Sequence, residues 1–198
     1  MTIYLIRHGE TIANVEKKFA GIWDVELTEN GIQQGIQAGI KLKAVQFEAV
    51  YCSDLQRAQK TAEKITAHHS IELKPLSSLR EMNFGIWEHK KMSEIRISDA
   101  ELLNQWFADF ENFIVPGGES VKEMFERVTT AYKSIIEPYS LDSDTNIAIV
   151  AHGGVIQALL SFLCFGDCSG YWKFRIDNCG INKIEYAMGY PVIQGINQ

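Results

Sequence analysis

The chain predicts an α/β sandwich, and three stretches carry that prediction. Ile3–Ile6, Phe47–Cys52 and Ile147–Val150 are short apolar runs, each followed by a helical pattern. Such runs read as buried strands, and Ile147–Val150 is apolar throughout, as a central parallel strand must be. Strand–helix alternation then gives one sheet covered by helices. Each run ends in residues that a core would not choose: Arg7-His8 after the first, Ser53 to Arg57 after the second, and His152 after the third. Ligands of open α/β sheets bind outside the carboxyl ends of the strands, so these ends are where chemistry is expected.

The elements follow in order. After the first strand, Thr11–Asn14 reads as a short helical turn, and the stretch to Asp24 as a loop. In that loop Phe19-Ala20-Gly21-Ile22-Trp23 is equally open to ligand contact and to plain packing. Thr28 reads as the N-cap of a helix on which Ile32, Ile36 and Ile40 form one apolar stripe. Gly35 and Gly39 weaken that helix by roughly 1 kcal/mol each relative to alanine, and close packing against the sheet is the expected reason. After Phe47–Cys52, Ser53-Asp54-Leu55-Gln56 reads as a capping box, with Ser53 as cap, opening a helix from Asp54 to Ala67. Arg57 then lies on the first turn, where backbone N–H groups attract anions and a guanidinium adds a bidentate clamp.

Ile71–Leu76 reads as a shorter strand, and Leu79–Glu88 as an irregular stretch containing the carboxyl of Glu81. Met92–Phe113 reads as helical, with Trp106, Phe107 and Phe110 as a lid-like apolar wall. Val115–Gly118 is a turn, and Ser120 opens a second capping box. The helix behind it carries Val121, Phe125, Val128, Tyr132, Ile135 and Ile136 on one face and ends at Pro138. After Ile147–Val150, Ala151-His152-Gly153-Gly154 leads into a helix from Val155 to about Leu163. Glycines there permit close approach to a ligand, which adds Gly153 to the candidate binding residues. Tyr171–Arg175 and Asn182–Tyr186 read as a closing strand pair. No repeat or linker interrupts the chain, so residues 1–198 are expected to form one domain.

Composition bounds the function. The 198 residues are 46% apolar and 22% charged, as in an ordinary globular protein. A net charge of −6 argues against nucleic acid or an anionic membrane as partner, although a local arginine–histidine cluster can reverse the sign inside one cleft. No apolar run spans a bilayer, and the start Met1-Thr2-Ile3-Tyr4 lacks the basic region of a signal peptide, so a cytoplasmic location is expected. Cys52, Cys164, Cys168 and Cys179 form no C-x-x-C pair, and no histidine completes a zinc set. Reduced, mostly buried thiols and no metal are expected. The oligomeric state stays open, with a homodimer as one candidate.

Three strand ends thus bring together Arg7, His8, Arg57 and His152. There is no G-x-x-x-x-G-K-[ST] loop, which disfavours an NTPase. Cations and imidazoles around one point fit a phosphoryl group. Arginines can hold its oxygens, and a neutral imidazole can attack phosphorus to form a phosphohistidine, dividing one slow displacement into two. The leaving alkoxide needs a proton, from a carboxylic acid or a second histidine, and Glu81 is the acid chosen.

Leu5-Ile6-Arg7-His8-Gly9-Glu10-Thr11 resembles the signature of the histidine phosphatase superfamily, the phosphoglycerate mutase-like proteins. Asn14, Leu27-Thr28-x-x-Gly31, Ser53-Asp54-Leu55-Gln56-Arg57-Ala58 with Thr61-Ala62, and Arg80-Glu81-x-x-Phe84-Gly85-x-Trp87-Glu88 fit it too. So do Pro116-Gly117-Gly118-Glu119-Ser120 and Val150-Ala151-His152-Gly153-Gly154. The resemblance implies a three-layer α/β/α sandwich with a mostly parallel sheet, and an enzyme needing neither metal nor cofactor. It implies His8 as phosphorylated nucleophile, Arg7, Arg57 and His152 as phosphate pocket, Asn14 as a further phosphoryl contact and Glu81 as proton donor. One departure is His89-Lys90-Lys91 where family members often carry glycine; these are read as solvated surface in preference to an anion-binding rim.

Within the family the chain looks most similar to the α-ribazole phosphatase group, which takes a phosphate monoester from cobalamin assembly. Gly21-Ile22-Trp23-Asp24-Val25 is similar to cofactor-dependent phosphoglycerate mutases, but those are longer, with segments that keep water from the phosphohistidine. The short chain therefore favours a phosphatase. A mutase, or a non-catalytic phosphate-binding module, is the alternative.

Overall fold

A computed structural model describes residues 1–198. Six strands form one sheet: β1 (Thr2–Arg7), β2 (Phe47–Ser53), β3 (Leu73–Leu76), β4 (Asn146–Ala151), β5 (Ile181–Ala187) and β6 (Tyr190–Gly195). Their spatial order is β3-β2-β4-β1-β5-β6. The four strands from β3 to β1 are parallel, and β5 and β6 are added antiparallel. The seven helices are α1 (Ile12–Glu16), α2 (Glu29–Leu42), α3 (Gln56–Ile65), α4 (Met92–Ser98), α5 (Ala100–Ala108), α6 (Val121–Ile136) and α7 (Gly153–Phe165). The expected α/β/α sandwich with a mostly parallel sheet is the architecture observed.

Alternation along the strands builds both faces. Ile3, Leu5, Ile147 and Ile149 pack on α6 and α7 through Val128, Tyr132, Ile156 and Leu159. Tyr4, Ile6, Ala148 and Val150 pack on α2 and α3 through Ala38, Leu42, Ala62 and Ile65. Leu5 and Ile6 are fully buried on opposite faces, each contributing roughly 1.5–3 kcal/mol by leaving water. The strand ends are therefore fixed on both sides. No helix is long and apolar enough to cross a membrane.

Several readings need correction. Ser53 does not cap α3: its hydroxyl accepts from Leu55 N–H, and the helix starts only at Gln56, whose N–H donates to Asp24 Oδ1 at 2.8 Å. The cap comes from 32 residues upstream, which local spacing cannot reveal. The α3 helix also ends earlier, at Ile65. Met92–Phe113 is two short helices broken at Asp99, whose carboxylate accepts from Lys90 and Ser98. Tyr171–Arg175 belongs to a 3-10 turn spanning Cys168–Lys173 and an irregular tail; the partner of β5 is Tyr190–Gly195.

Finally, the isoleucine stripe is not the buried face of α2. Gly31, Gly35, Ala38, Gly39 and Leu42 are buried, whereas Ile40 is 43% exposed. Gly35 and Gly39 face α3, not the sheet: a Cβ on Gly39 would lie 2.6 Å from Lys64 O. The α7 helix begins at Gly153 and runs to Phe165, ending on Gly166 with φ +81°.

Candidate active site

Register brings the two histidines together. β1 and β4 are parallel neighbours with Arg7 opposite Ala151. His8 and His152, each one residue beyond, therefore stand side by side. Their ring centroids are 5.2 Å apart, edge to face, and His8 N–H donates to Ala151 O at 2.9 Å. β2 lies on the other flank of β4, and α3 leaves its end carrying Arg57 on the first turn.

His8 is 5% exposed and its Nδ1 lies 2.7 Å from Gly9 O. A carbonyl can only accept, so Nδ1 holds the proton and Nε2 keeps a free lone pair. Gly9 is itself fixed. Its N–H donates to Thr61 Oγ1 at 3.0 Å, and a Cβ there would strike Gly31 O. His152 is fully buried with the opposite tautomer: Nδ1 accepts from Arg57 Nε–H at 3.2 Å, leaving the proton on Nε2, a buried donor with no partner. Burial, then the Arg57 charge, pushes both imidazoles well below their ordinary value and keeps them neutral.

Arg57 is 1% exposed. Beyond His152 it donates from Nη1 to Trp23 O at 2.7 Å and from Nη2 to Ala20 O and Gly21 O at 3.2 and 2.7 Å. Of five guanidinium donors, one on Nη1 stays uncommitted. Arg7 donates Nη1 to Ile176 O at 2.7 Å, while its Nε is buried without a partner. Unpartnered buried donors on Arg7 and His152 are costly unless an anion meets them.

Asn14 Oδ1 accepts from Thr11 N–H at 3.0 Å and Asn178 Nδ2 at 3.2 Å, which turns its own amide N–H groups outward as donors. Glu81 accepts from Met82 N–H at 3.0 Å and from Gly154 N–H at 2.9 Å, one on each oxygen. Arg127 and Glu119 hold the chain around it, through Ser78 O, Arg80 O and Asn83 N–H. Arg7, His8, Asn14, Arg57 and Glu81 line one pocket of about 200 Å³. Gly153 opens α7 beside Arg7, and a Cβ there would find 3.5 Å to Arg7 Nε, an ordinary contact. Gly154 is the constrained one, because its Cβ would meet Glu81 Oε1 and Tyr171 Oη at 2.5 and 2.6 Å.

A second pocket of about 520 Å³ shares Arg7, Phe19, Glu81 and Phe84 with the first. Its walls are Phe84, Trp106, Tyr171, Trp172 and Phe174, with Gln157 and Arg175 as polar members. Phe19 comes from the first loop, which therefore does face the site. Phe107 and Phe110 do not line this pocket. A larger groove of about 780 Å³ between α6 and the β2–β3 edge holds none of the converging residues, and its Arg127 is already committed. His89-Lys90-Lys91 lines neither site pocket: His89 stacks on Trp23 at 4.0 Å and Lys90 pairs with Asp99 at 2.9 Å.

The sequence model of the histidine phosphatase superfamily (branch 1) matches residues 3–198. The chain belongs to this family. As a histidine phosphatase it is a hydrolase of a class that acts without metal. The chain is 30% identical over 197 residues to the adenosylcobalamin/α-ribazole phosphatase of Escherichia coli K12, covering all of this chain and 96% of that one. It superposes on the crystal structure of the α-ribazole phosphatase from Shigella flexneri with a TM-score of 0.89 and 32% identity, covering 100% and 96% of the two chains. A phosphoglycerate mutase structure from Bacillus anthracis gives a TM-score of 0.84 at 25% identity, covering 100% and 93%.

Three supports of this histidine phosphatase site escape a reading of motifs. Asn178 Nδ2 donates to His8 O at 3.0 Å as well as to Asn14, tying two site residues to the turn before β5. Thr61 holds Gly9 from α3. Glu88 gathers the loop behind Arg57. Thr61 and Glu88 lie in stretches that the family resemblance marks. Asn178 carries no local signal, because its partners are about 170 residues away.

Proposed function

We propose that this histidine phosphatase is a phosphomonoesterase that works through a phosphohistidine on His8, and that its substrate is a small phosphate monoester with a flat aromatic alcohol portion, α-ribazole 5′-phosphate being the leading case. The observation that carries the reading is the pair of matched orphan groups: a lone pair on His8 Nε2 beside unpartnered donors on His152 and Arg7.

The steps follow from those atoms. The phosphoryl group enters with its oxygens toward Arg7, the free Nη1 donor of Arg57, His152 Nε2–H and the Asn14 amide. Gly153 lies beside Arg7 in the lining of the adjoining aromatic pocket. His8 Nε2 attacks phosphorus, and Gly9 O holds the Nδ1 proton as the ring becomes cationic. The P–O bond to the alcohol breaks, and Glu81, as the acid, protonates the departing oxygen. Water then attacks the phosphohistidine, Glu81 takes its proton, the N–P bond breaks, and inorganic phosphate leaves.

The aromatic pocket supports the finer reading. Its volume of about 520 Å³ suits a nucleoside-sized group, and its walls offer ring faces from several elements at once. The α-ribazole phosphatases that this chain resembles over its full length add the substrate class.

The test is phosphate release, without added metal, from α-ribazole 5′-phosphate, from alkyl and aryl phosphates, and from 3-phosphoglycerate supplied with its bisphosphate. Rapid release from α-ribazole 5′-phosphate is expected; interconversion of phosphoglycerates with little free phosphate would make this chain a mutase. Quenching mid-turnover with labelled substrate traps an acid-labile, alkali-stable phosphoprotein, lost in His8→Ala together with turnover, by on the order of a millionfold. Glu81→Gln slows alkyl phosphates far more than 4-nitrophenyl phosphate, whose leaving group needs no proton; equal losses would remove Glu81 from the acid role.

A further inference from the structure

Glu88 makes no contact with Arg57, yet the two charges grip the same peptide units from opposite sides. Gly21 N–H donates to both Glu88 oxygens, at 3.1 and 3.0 Å. Ile22 N–H and Phe84 N–H donate to Oε1 at 3.1 and 3.0 Å, and Trp23 N–H to Oε2 at 3.3 Å. On the far side, Ala20 O, Gly21 O and Trp23 O accept from the Arg57 guanidinium. The C=O of Ala20 and the N–H of Gly21 belong to one peptide unit; those of Gly21 and Ile22 belong to the next. In a trans peptide these groups point oppositely. Two peptide dipoles are thus strung in line between the carboxylate and the guanidinium, each oriented as its charge favours. Only glycine fits the middle of the bridge, since a Cβ on Gly21 would overlap Met82 O and crowd Glu88 Oε1 at 2.5 Å.

We propose that Glu88 is a positioning residue for the phosphoryl-transfer step: through the backbone of residues 20–23 it fixes the azimuth of the Arg57 guanidinium, so that Nε serves His152 and the one free Nη1 donor faces the phosphoryl group. The proposal rests on the assignment of Arg57 to the phosphate in the preceding section. Loss of the Glu88 charge frees these two peptides to rotate, which withdraws the Ala20 and Gly21 carbonyls from Arg57 and with them its orientation. The effect falls on the phosphoryl group and not on the leaving group.

Glu88→Gln keeps the shape of the side chain and replaces one acceptor by a donor facing backbone N–H groups. It is expected to lower kcat/KM about 10- to 100-fold, by the same factor for 4-nitrophenyl phosphate and for an alkyl phosphate, and to weaken competitive inhibition by inorganic phosphate in parallel. In an Arg57→Ala background the same change should have no further effect on kcat/KM. Full multiplication of the two losses would overturn the proposal, as would a leaving-group-dependent loss. A measurement on the unaltered protein does not depend on the variant folding: inorganic phosphate should slow hydrogen exchange of the Gly21 and Ile22 amides, and unchanged exchange at phosphate saturation would overturn the bridge. A wild-type protein that turned over no phosphate ester would refute the proposed function instead, and the exchange experiment would still decide the bridge.

Discussion

His8 and His152 occupy matching places at the ends of neighbouring strands, yet they are chemical opposites. Gly9 O turns one into an acceptor at Nε2, and Arg57 Nε–H turns the other into a donor there. A pair of equal rings thereby becomes a nucleophile beside a hydrogen-bond donor. Their lowered pKa values have two readable consequences. The acid limb of kcat/KM that belongs to His8 should lie below the ordinary imidazole value of about 6.5, so that activity persists where an exposed histidine would already be protonated. Stability moves with the same sign. Each group binds its proton less readily folded than unfolded, so its contribution is complete above about 6.5 and is lost as pH falls from there toward the folded value. Urea melts at successive pH values check this: a midpoint that rose on acidification through pH 6 would contradict it. Identity and position of these side chains were legible in the sequence. The tautomers were not, because they depend on Gly9 O and Arg57 as spatial partners.

At the scale of elements, local signals held where the partner is local. Thr28 and Ser120 cap their helices as their spacing predicts, the second with a reciprocal box. They failed where a distant group supplied the partner, as Asp24 does for α3. The α2 helix is the sharper lesson. Its isoleucines have the periodicity of a core face, but its glycines have the closer neighbour, and proximity to α3 decides which side is buried. Gly39→Ala tests which effect wins. Helix propensity favours alanine by roughly 1 kcal/mol. Forcing a Cβ to 2.6 Å from a backbone oxygen works against it by about 1–3 kcal/mol. A net loss of about 0–2 kcal/mol is expected in chemical denaturation. Stabilisation would mean that α2 and α3 separate easily. The excursion between β3 and α6 was the least legible region. Trp87, Ile95, Leu103, Trp106 and Val115 form a small core of their own there, with Phe19 and Phe84 against it. That core contributes Phe19, Phe84 and Trp106 to the aromatic pocket, and nothing in a linear pattern says that residue 19 belongs to it.

For the whole molecule, the contrast is between an acidic chain and a cationic point. The net charge is −6, while Arg7 and Arg57 are packed into one cleft beside two neutral histidines. Such a site is under-satisfied when empty, and an anion completes it. Inorganic phosphate at about one hundred times its dissociation constant should stabilise the fold by about 2.7 kcal/mol, which for a chain of this size raises Tm by roughly 5–10 °C. Sulfate of the same ionic strength controls for salt, and His8→Ala should keep most of the shift, since it removes the nucleophile and leaves the donors. A shift below 1 °C would mean that phosphate has no seat in this cleft.

The parallel register of β1 and β4 sets the separation of the two reactive rings by the repeat of the backbone ladder and not by side-chain packing. That makes the spacing insensitive to drift elsewhere. The groups that would meet the rest of the substrate come from the first loop, the excursion before α6 and the turn after α7, none of which belongs to the ladder. Outside the residues that hold Arg57 and Glu81, inheritance can therefore rewrite those three segments one residue at a time without moving the two rings. In such an architecture new substrates are reached by ordinary mutation, while the chemistry is passed on intact.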